Sequence, residues 1–154
     1  MTVSLSQPQA LNESGRLAIA KSSTAIPLLA EGKPTGFPSP CTDYAQGTLD
    51  LNEYLVRHQS ASFYFTVETN DMEGSSILKG DKVLVDRSLD AESGHFVVAV
   101  IENEYSLRTL LIRRGVYELH TDNPKQLPIK FEDQESQQLS VWGVVTGIVR
   151  KLKV

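Results

Sequence analysis

From residue 62 to residue 149 the chain is a succession of short apolar runs, each closed by a turn signal. The runs are Ser62–Glu68, Lys82–Asp86, His95–Ile101, Tyr105–Ile112, Val116–His120, Pro128–Phe131 and Leu139–Val149. Most are rich in β-branched and aromatic residues, and none carries the 3.6-residue apolar period of an amphipathic helix. Gly80-Asp81 punctuates a turn, and Glu102–Glu104 is short enough to close a hairpin. Gly143 and Gly147 inside the last run mark bends or bulges. Only Asp50–His58 reads as a helix, with Asp50 as its cap and Leu51, Tyr54 and Leu55 on one face. The pattern predicts an all-β, partly closed sheet body with one short helix.

The stretch ahead of that body is different. It is rich in Ser, Thr, Ala, Pro and Gly and has no aromatic residue before Phe37. Glu31–Pro40 carries Gly and Pro at short intervals, which excludes a long helix or a central strand. Residues 1–40 are therefore expected to form an extended arm, and residues 41–154 the body. The 154 residues suit one compact domain with such an arm.

Charge and cysteine content narrow the functions. A net charge of -4 argues against a broad DNA-clamping surface, which needs excess Lys and Arg. With 1 Cys there is no internal disulfide and no Cys-based zinc site. His58, His95 and His120 lack ligand-like spacing, so neither a metal nor a cofactor is expected. No apolar run approaches the roughly 20 residues of a membrane helix, and no secretory signal is visible. The expected location is cytoplasmic.

An ordered set of segments carries a resemblance. They are Gly36–Pro40 (Gly-Phe-Pro-Ser-Pro), Asp50–His58, Asp71-Met72, Gly80-Asp81, Val85–Ser88, Glu104–Arg108 and Val141–Val145. In order and spacing they resemble the LexA/UmuD family of serine/lysine autoproteases, and within it the UmuD-like subunits of error-prone DNA polymerases. The Phe-Pro-Ser-Pro run favours the UmuD side. The residues ahead of the body are also too few and too Pro-rich for a winged helix-turn-helix of the LexA kind. The resemblance implies a β-rich homodimer whose arm is cut just before the Gly of Gly-Phe-Pro-Ser-Pro, here between Thr35 and Gly36. It implies stimulation by a RecA–single-stranded-DNA filament, and assembly with a Y-family translesion polymerase in the SOS response to DNA damage.

The family's dyad is a Ser followed by Met and a Lys closing a Thr-Val-Lys segment. Here the matching positions hold Asp71, before Met72, and Arg108, closing Ser106-Leu-Arg. A Ser hydroxyl needs a base to take its proton, and a Lys in an apolar site can lose its charge to serve as one. Arg is effectively never deprotonated, so Arg108 cannot be that base. The resemblance thus implies a degenerate dyad and a subunit unable to cleave itself, pairing with its own kind or with an active UmuD. Asp71 and Arg108 are expected to form a direct ion pair in place of the dyad. Thr35, bulkier than the small residue or Cys of relatives, further disfavours cleavage.

Two other readings stand beside this one. The first is an active autopeptidase with a rearranged site at Ser75 or Ser76, near Lys79, although displacement by several residues makes such a rescue poor. The second is a LexA-like transcriptional regulator, against which the net charge and the sparsely basic arm argue. Elsewhere, Cys41 reads as a small packed thiol, Trp142 as core or interface packing, and Arg113-Arg114 and Arg150–Lys153 as solvated basic patches.

Overall fold

The computed structural model describes residues 26–29, 45–132 and 139–154. Thr35, Gly36 and Cys41 lie outside the described residues, as does the Gly-Phe-Pro-Ser-Pro run. The chain divides into two compact units, one spanning Ile19–Arg57 and the other containing His58–Val154.

In the first unit, β1 (Ile26–Leu29) pairs antiparallel with β2 (Ala45–Leu49), with a register shift between Pro27 and Leu29. Helix α1 (Leu51–Leu55) follows at once. Its start is set by Asp50, whose Oδ1 accepts from the N–H groups of Asn52 and Glu53 at 2.8 and 3.3 Å. These are two of the donors that a helix N-terminus otherwise leaves without a partner. The expected apolar face forms but is open: Leu51 and Tyr54 are both exposed.

Among the described residues the second unit holds one antiparallel sheet of seven strands. In spatial order they are β3 (Ser62–Thr66), β4 (Lys82–Asp86), β9 (Leu139–Val149), β5 (Phe96–Ile101), β6 (Glu104–Arg113), β7 (Val116–His120) and β8 (Ile129–Phe131). Two tight turns hold β5–β6–β7 together. Glu102 and Asn103 take φ of 51° and 65°, and Arg114 and Gly115 take 53° and 81°. Two consecutive left-handed residues make the turn whose twist suits a two-residue hairpin.

The central strands explain the apolar runs. β4 and β5 have neighbours on both sides, and residues pointing to either face are buried. Alternation then sorts the side chains into two cores. One holds Phe65, Val67, Met72, Ile77, Val83, Val85, Val98 and Leu107; the other holds Val97, Ala99, Ile101, Leu110, Leu119 and Phe131. Trp142 packs on the first, meeting Phe65 edge-on at 5.0 Å and Phe63 at 5.2 Å, with the Arg87 guanidinium 4.5 Å over its ring.

β9 carries two bulges. Its register against β4 skips Thr146, and its register against β5 skips Trp142. Each extra residue is followed by a glycine, Gly143 or Gly147, as the glycines in the sequence suggested.

Candidate functional site

Met72 is buried in the first core and fixes the loop that presents Asp71. The loop turns through a short 3-10 segment, Glu73–Ser75, and passes Ser76 in the left-handed region at φ 64° before Ile77 returns to the core. Arg108 stands on β6, paired with Val97 of β5. With period 2, Ser106, Arg108 and Leu110 share a face, and Ser106 and Leu110 are fully buried. Arg108 itself is only 4% exposed.

The direct ion pair expected between Asp71 and Arg108 does not form. No carboxylate lies within 4.0 Å of the Arg108 guanidinium among the described residues. Each side chain takes one partner two residues away and one from the segment between β7 and β8. Asp71 Oδ2 accepts from Thr69 Oγ1 at 3.0 Å, and its Oδ1 accepts from Asn123 Nδ2 at 2.9 Å. Arg108 Nε donates to Ser106 Oγ, two residues back on the same strand face, at 2.9 Å. Its Nη1 donates to Gln126 Oε1, also at 2.9 Å.

Gln126 thus reaches Arg108, and Asn123 of the same segment reaches Asp71. Burial pushes the Asp71 carboxyl up, but the hydrogen bonds from Asn123 and Thr69, the nearby polar side chain of Gln126 and the positive charge of Arg108 outweigh it and hold the group below its ordinary range. Burial pulls the Arg108 guanidinium down while the Asp71 charge opposes the pull, and an arginine stays protonated through such a shift. The two charges act on each other through space rather than by contact.

The segment that supplies Asn123 and Gln126 connects β7 to β8, and sequence reasoning singled out neither residue as part of the site. Asn123-Pro124 reads in the sequence as a turn and, by the family resemblance, as a loop element, with no role at the dyad positions. The segment is tied to the Asp71 loop by three bonds: Asp122 N–H to Asp71 O at 2.8 Å, Ser75 N–H to Asp122 Oδ2 at 2.7 Å, and the Asn123 amide already described. Among the described residues, neither the Ser75 nor the Ser76 hydroxyl has a hydrogen-bonded base. Lys79 enters only through its backbone N–H, which donates to Asn70 Oδ1 at 3.1 Å.

Two further buried carboxylates brace the unit. Asp86 accepts from His58 Nδ1 at 2.7 Å, from Ser88 Oγ at 2.6 Å and from Ser88 N–H at 2.8 Å. Although Ser, His and Asp meet here, the hydroxyl and the imidazole Nδ1 both face the same carboxylate, so no Ser–His–Asp relay is formed. Asp81 takes both prongs of Arg150, Nε on Oδ1 and Nη2 on Oδ2, each at 2.6 Å. Arg150 was expected to be solvated; instead it closes this fork and donates to Ser76 O at 2.8 Å. Bidentate geometry suits a guanidinium, and 69 residues of sequence separation hid the match. No group of three or more metal-ligating side chains occurs among the described residues, and no described helix is long and apolar enough to cross a membrane.

These carboxylates set an acid limit on the fold. The Arg150 fork holds Asp81 below the ordinary 3.8. For Asp86 burial acts upward and is outweighed by the Ser88 and His58 bonds, and Asp71 is likewise lowered from 3.8. A lowered folded-state value stabilises the fold above the unfolded value, and that stability is lost as pH falls through the folded value. Resistance to urea should therefore hold from neutral pH down to about pH 4 and then drop with further acidification. An unfolding midpoint unchanged at about pH 3 would contradict the bonding described here.

Comparison with known proteins agrees with the geometry. Residues 27–146 match the Peptidase S24-like family. Protein MucA of Salmonella typhimurium is 38% identical over 122 residues, 79% of this chain and 82% of its own length. Protein ImpA of the same organism is 33% identical over 128 residues, covering 82% of this chain and 85% of ImpA. A LexA repressor from Anaeromyxobacter dehalogenans is 27% identical over 117 residues, 76% of this chain but 51% of the repressor. The antiparallel β body, the segment order and these relatives lead to one conclusion: the chain belongs to the peptidase S24-like family, as a UmuD-like member of the LexA/UmuD group.

Proposed function

We propose that this protein is a UmuD-like accessory subunit of error-prone translesion synthesis in the SOS response, and that it does not cleave itself. Similarity to MucA and ImpA along most of each chain supports the first part. The observation that carries the second is the pair of side chains at the dyad positions. Asp71 is a hydrogen-bonded carboxylate, and Arg108 is a buried guanidinium that donates to Ser106 and Gln126. Neither a hydroxyl nor a neutral amine stands there, so the two steps of serine/lysine peptide cleavage, proton removal and attack, lack their groups.

In this reading the protein is a binding subunit. It pairs with itself or with an active UmuD, keeps its arm, and acts with a Y-family polymerase in the cytoplasm. A RecA–single-stranded-DNA filament that stimulates self-cleavage in active relatives leaves this chain whole. It contacts no specific DNA sequence itself, in keeping with the net charge of -4.

The test is incubation with RecA, single-stranded DNA and a non-hydrolysable nucleotide, followed by intact-mass measurement. The full-length mass should persist under conditions in which an active UmuD is fully cut. A fragment beginning at Gly36 would overturn the non-cleaving reading.

A further inference from the structure

We propose that one corner of the second unit, made by the Leu78–Asp81 turn, the start of β4 and the residues after β9, is a docking surface for a protein partner that presents an acidic segment with aliphatic side chains. The surface lies outside the dyad positions, and it stands whether or not the chain cleaves itself.

The backbone brings the pieces together. Lys82 opens β4 and lies directly across from Val149, which closes β9. Arg150, the next residue, is held by its fork on Asp81 and its bond to Ser76 O. Residues 151–153 therefore leave the sheet beside the turn that carries Lys79. That turn is itself closed, by Asp81 N–H to Leu78 O at 3.1 Å and by Leu78 N–H to Asp81 Oδ2 at 2.8 Å.

Four lysines, Lys79, Lys82, Lys151 and Lys153, are exposed at this corner. None has a carboxylate within 4.0 Å among the described residues, and Lys82 Nζ donates to Thr66 Oγ1. Nearby carboxylates do not cancel them. Asp81 is buried and already matched by Arg150. Glu68, just past β3, and Glu73, on the Asp71 loop, offset two of the four. A chain of net charge -4 thus carries a locally positive corner, which draws in a partner of opposite sign.

The corner is also apolar. Ile148, Val149 and Leu152 are 41%, 37% and 74% exposed. In the described part of His58–Val154, Leu127 and Val154 are the only other large apolar side chains exposed. Apolar side chains scattered singly over a surface need no explanation, but a group of them rimmed by charge marks an interaction site. Val149 and Lys82, opposite each other on neighbouring strands, put an aliphatic group and an ammonium side by side.

The chemistry selects the occupant. Single-stranded nucleic acid would satisfy the lysines, but its bases stack on aromatic rings, and residues 66–69, 78–82 and 148–154 contain none. An acidic segment with Leu, Ile or Val at intervals answers both features. Its carboxylates meet the ammonium groups at the rim, and its aliphatic side chains cover Ile148, Val149 and Leu152.

The test is fluorescence anisotropy on the full chain at low salt. The probes are a labelled peptide of four Glu-Glu-Leu repeats, the same peptide with Ser for Leu, and a labelled single-stranded oligo-dT of equal length. Wild type should bind the Leu peptide in preference to the other two. Lys151→Glu/Lys153→Glu should weaken that binding roughly tenfold, as two exposed ion pairs become repulsions. Leu152→Ser should weaken it roughly fivefold. All these positions are exposed, so each variant should keep the wild-type thermal transition. Arg113→Glu/Arg114→Glu, which makes the same change in net charge at the β6–β7 turn, should bind as wild type does. No binding by wild type overturns the proposal, as does equal binding of the Ser peptide or an equal loss in the Arg113/Arg114 variant. Tighter binding of oligo-dT, abolished by the same lysine changes, would make the corner a nucleic-acid site and overturn it as well.

Discussion

Gly143→Val should cost about 3 kcal/mol of stability, the upper end for overpacking a core, and should lower the urea midpoint without changing the slope of the transition. A Cβ at residue 143 would lie 2.7 Å from Val85 Cγ1 and 3.1 Å from the Asp86 carbonyl oxygen. Val85 is fully buried in the core that also holds Met72, so it has no room to give. The Asp86 carbonyl belongs to a central strand and cannot move without breaking the β4–β9 ladder. Gly143→Ala should show the same effect at about half the size, since it brings the same clash without the extra methyl groups. Gly80 is the control. Its Cβ would meet nothing, but its φ of +96° is one that other residues rarely adopt. The cost there is backbone strain of about 1 kcal/mol, and Asn should be tolerated better than Val. A Gly143→Val protein as stable as wild type would mean that β4 and β9 are not in the register described.

Gly143 also shows where sequence reading succeeds. A glycine inside an otherwise β-rich run has few explanations, and a bulge or a close approach is the usual one; here it serves both, following the extra residue Trp142 and facing Val85. The strands themselves were legible for the same local reason. Alternation and β-branched runs act over a few residues, so Lys82–Asp86 and Val116–His120 emerge with the predicted bounds. The Glu102-Asn103 turn is local chemistry too. What stayed hidden is set by partners far along the chain. Arg150 finds Asp81 across 69 positions, and Asp71 finds Asn123 across 52. Gln126 carries no motif at all; its role exists only because the β7–β8 segment folds over two positions that a family resemblance had marked. That resemblance placed Asp71 and Arg108 in one site, but it could not show which neighbours each would prefer. A direct pair was the natural expectation for opposite charges. It fails because Ser106 lies two residues from Arg108 on the same strand face and Thr69 lies two residues from Asp71, and both bond at little entropic cost.

Asp71→Ala with Arg108 kept should destabilise the protein by about 2–3 kcal/mol, somewhat less than the 3–5 expected when a contacting buried pair loses one member. Three losses add up. The Arg108 guanidinium, 4% exposed, is left without the nearby charge that offsets its burial. Asn123 Nδ2 and Thr69 Oγ1 each lose their acceptor, both part-buried. The β7–β8 segment keeps only its backbone tie to Asp71 O and its Asp122 bond to Ser75. The sign of the pH dependence separates these terms. In wild type the Asp71 contribution disappears as pH falls through its lowered folded-state value, so wild type and Asp71→Ala should differ fully above about pH 4 and draw together on further acidification. Arg108→Met, alone and combined with Asp71→Ala, completes the cycle. An apolar side chain of similar length removes the buried charge, so the double variant should recover much of the loss, as buried ionic groups replaced together commonly do. If Asp71→Ala costs the same whether residue 108 is Arg or Met, the two positions are not coupled. Each side chain would then answer only to its own hydrogen-bond partners, Thr69 and Asn123 for Asp71, Ser106 and Gln126 for Arg108.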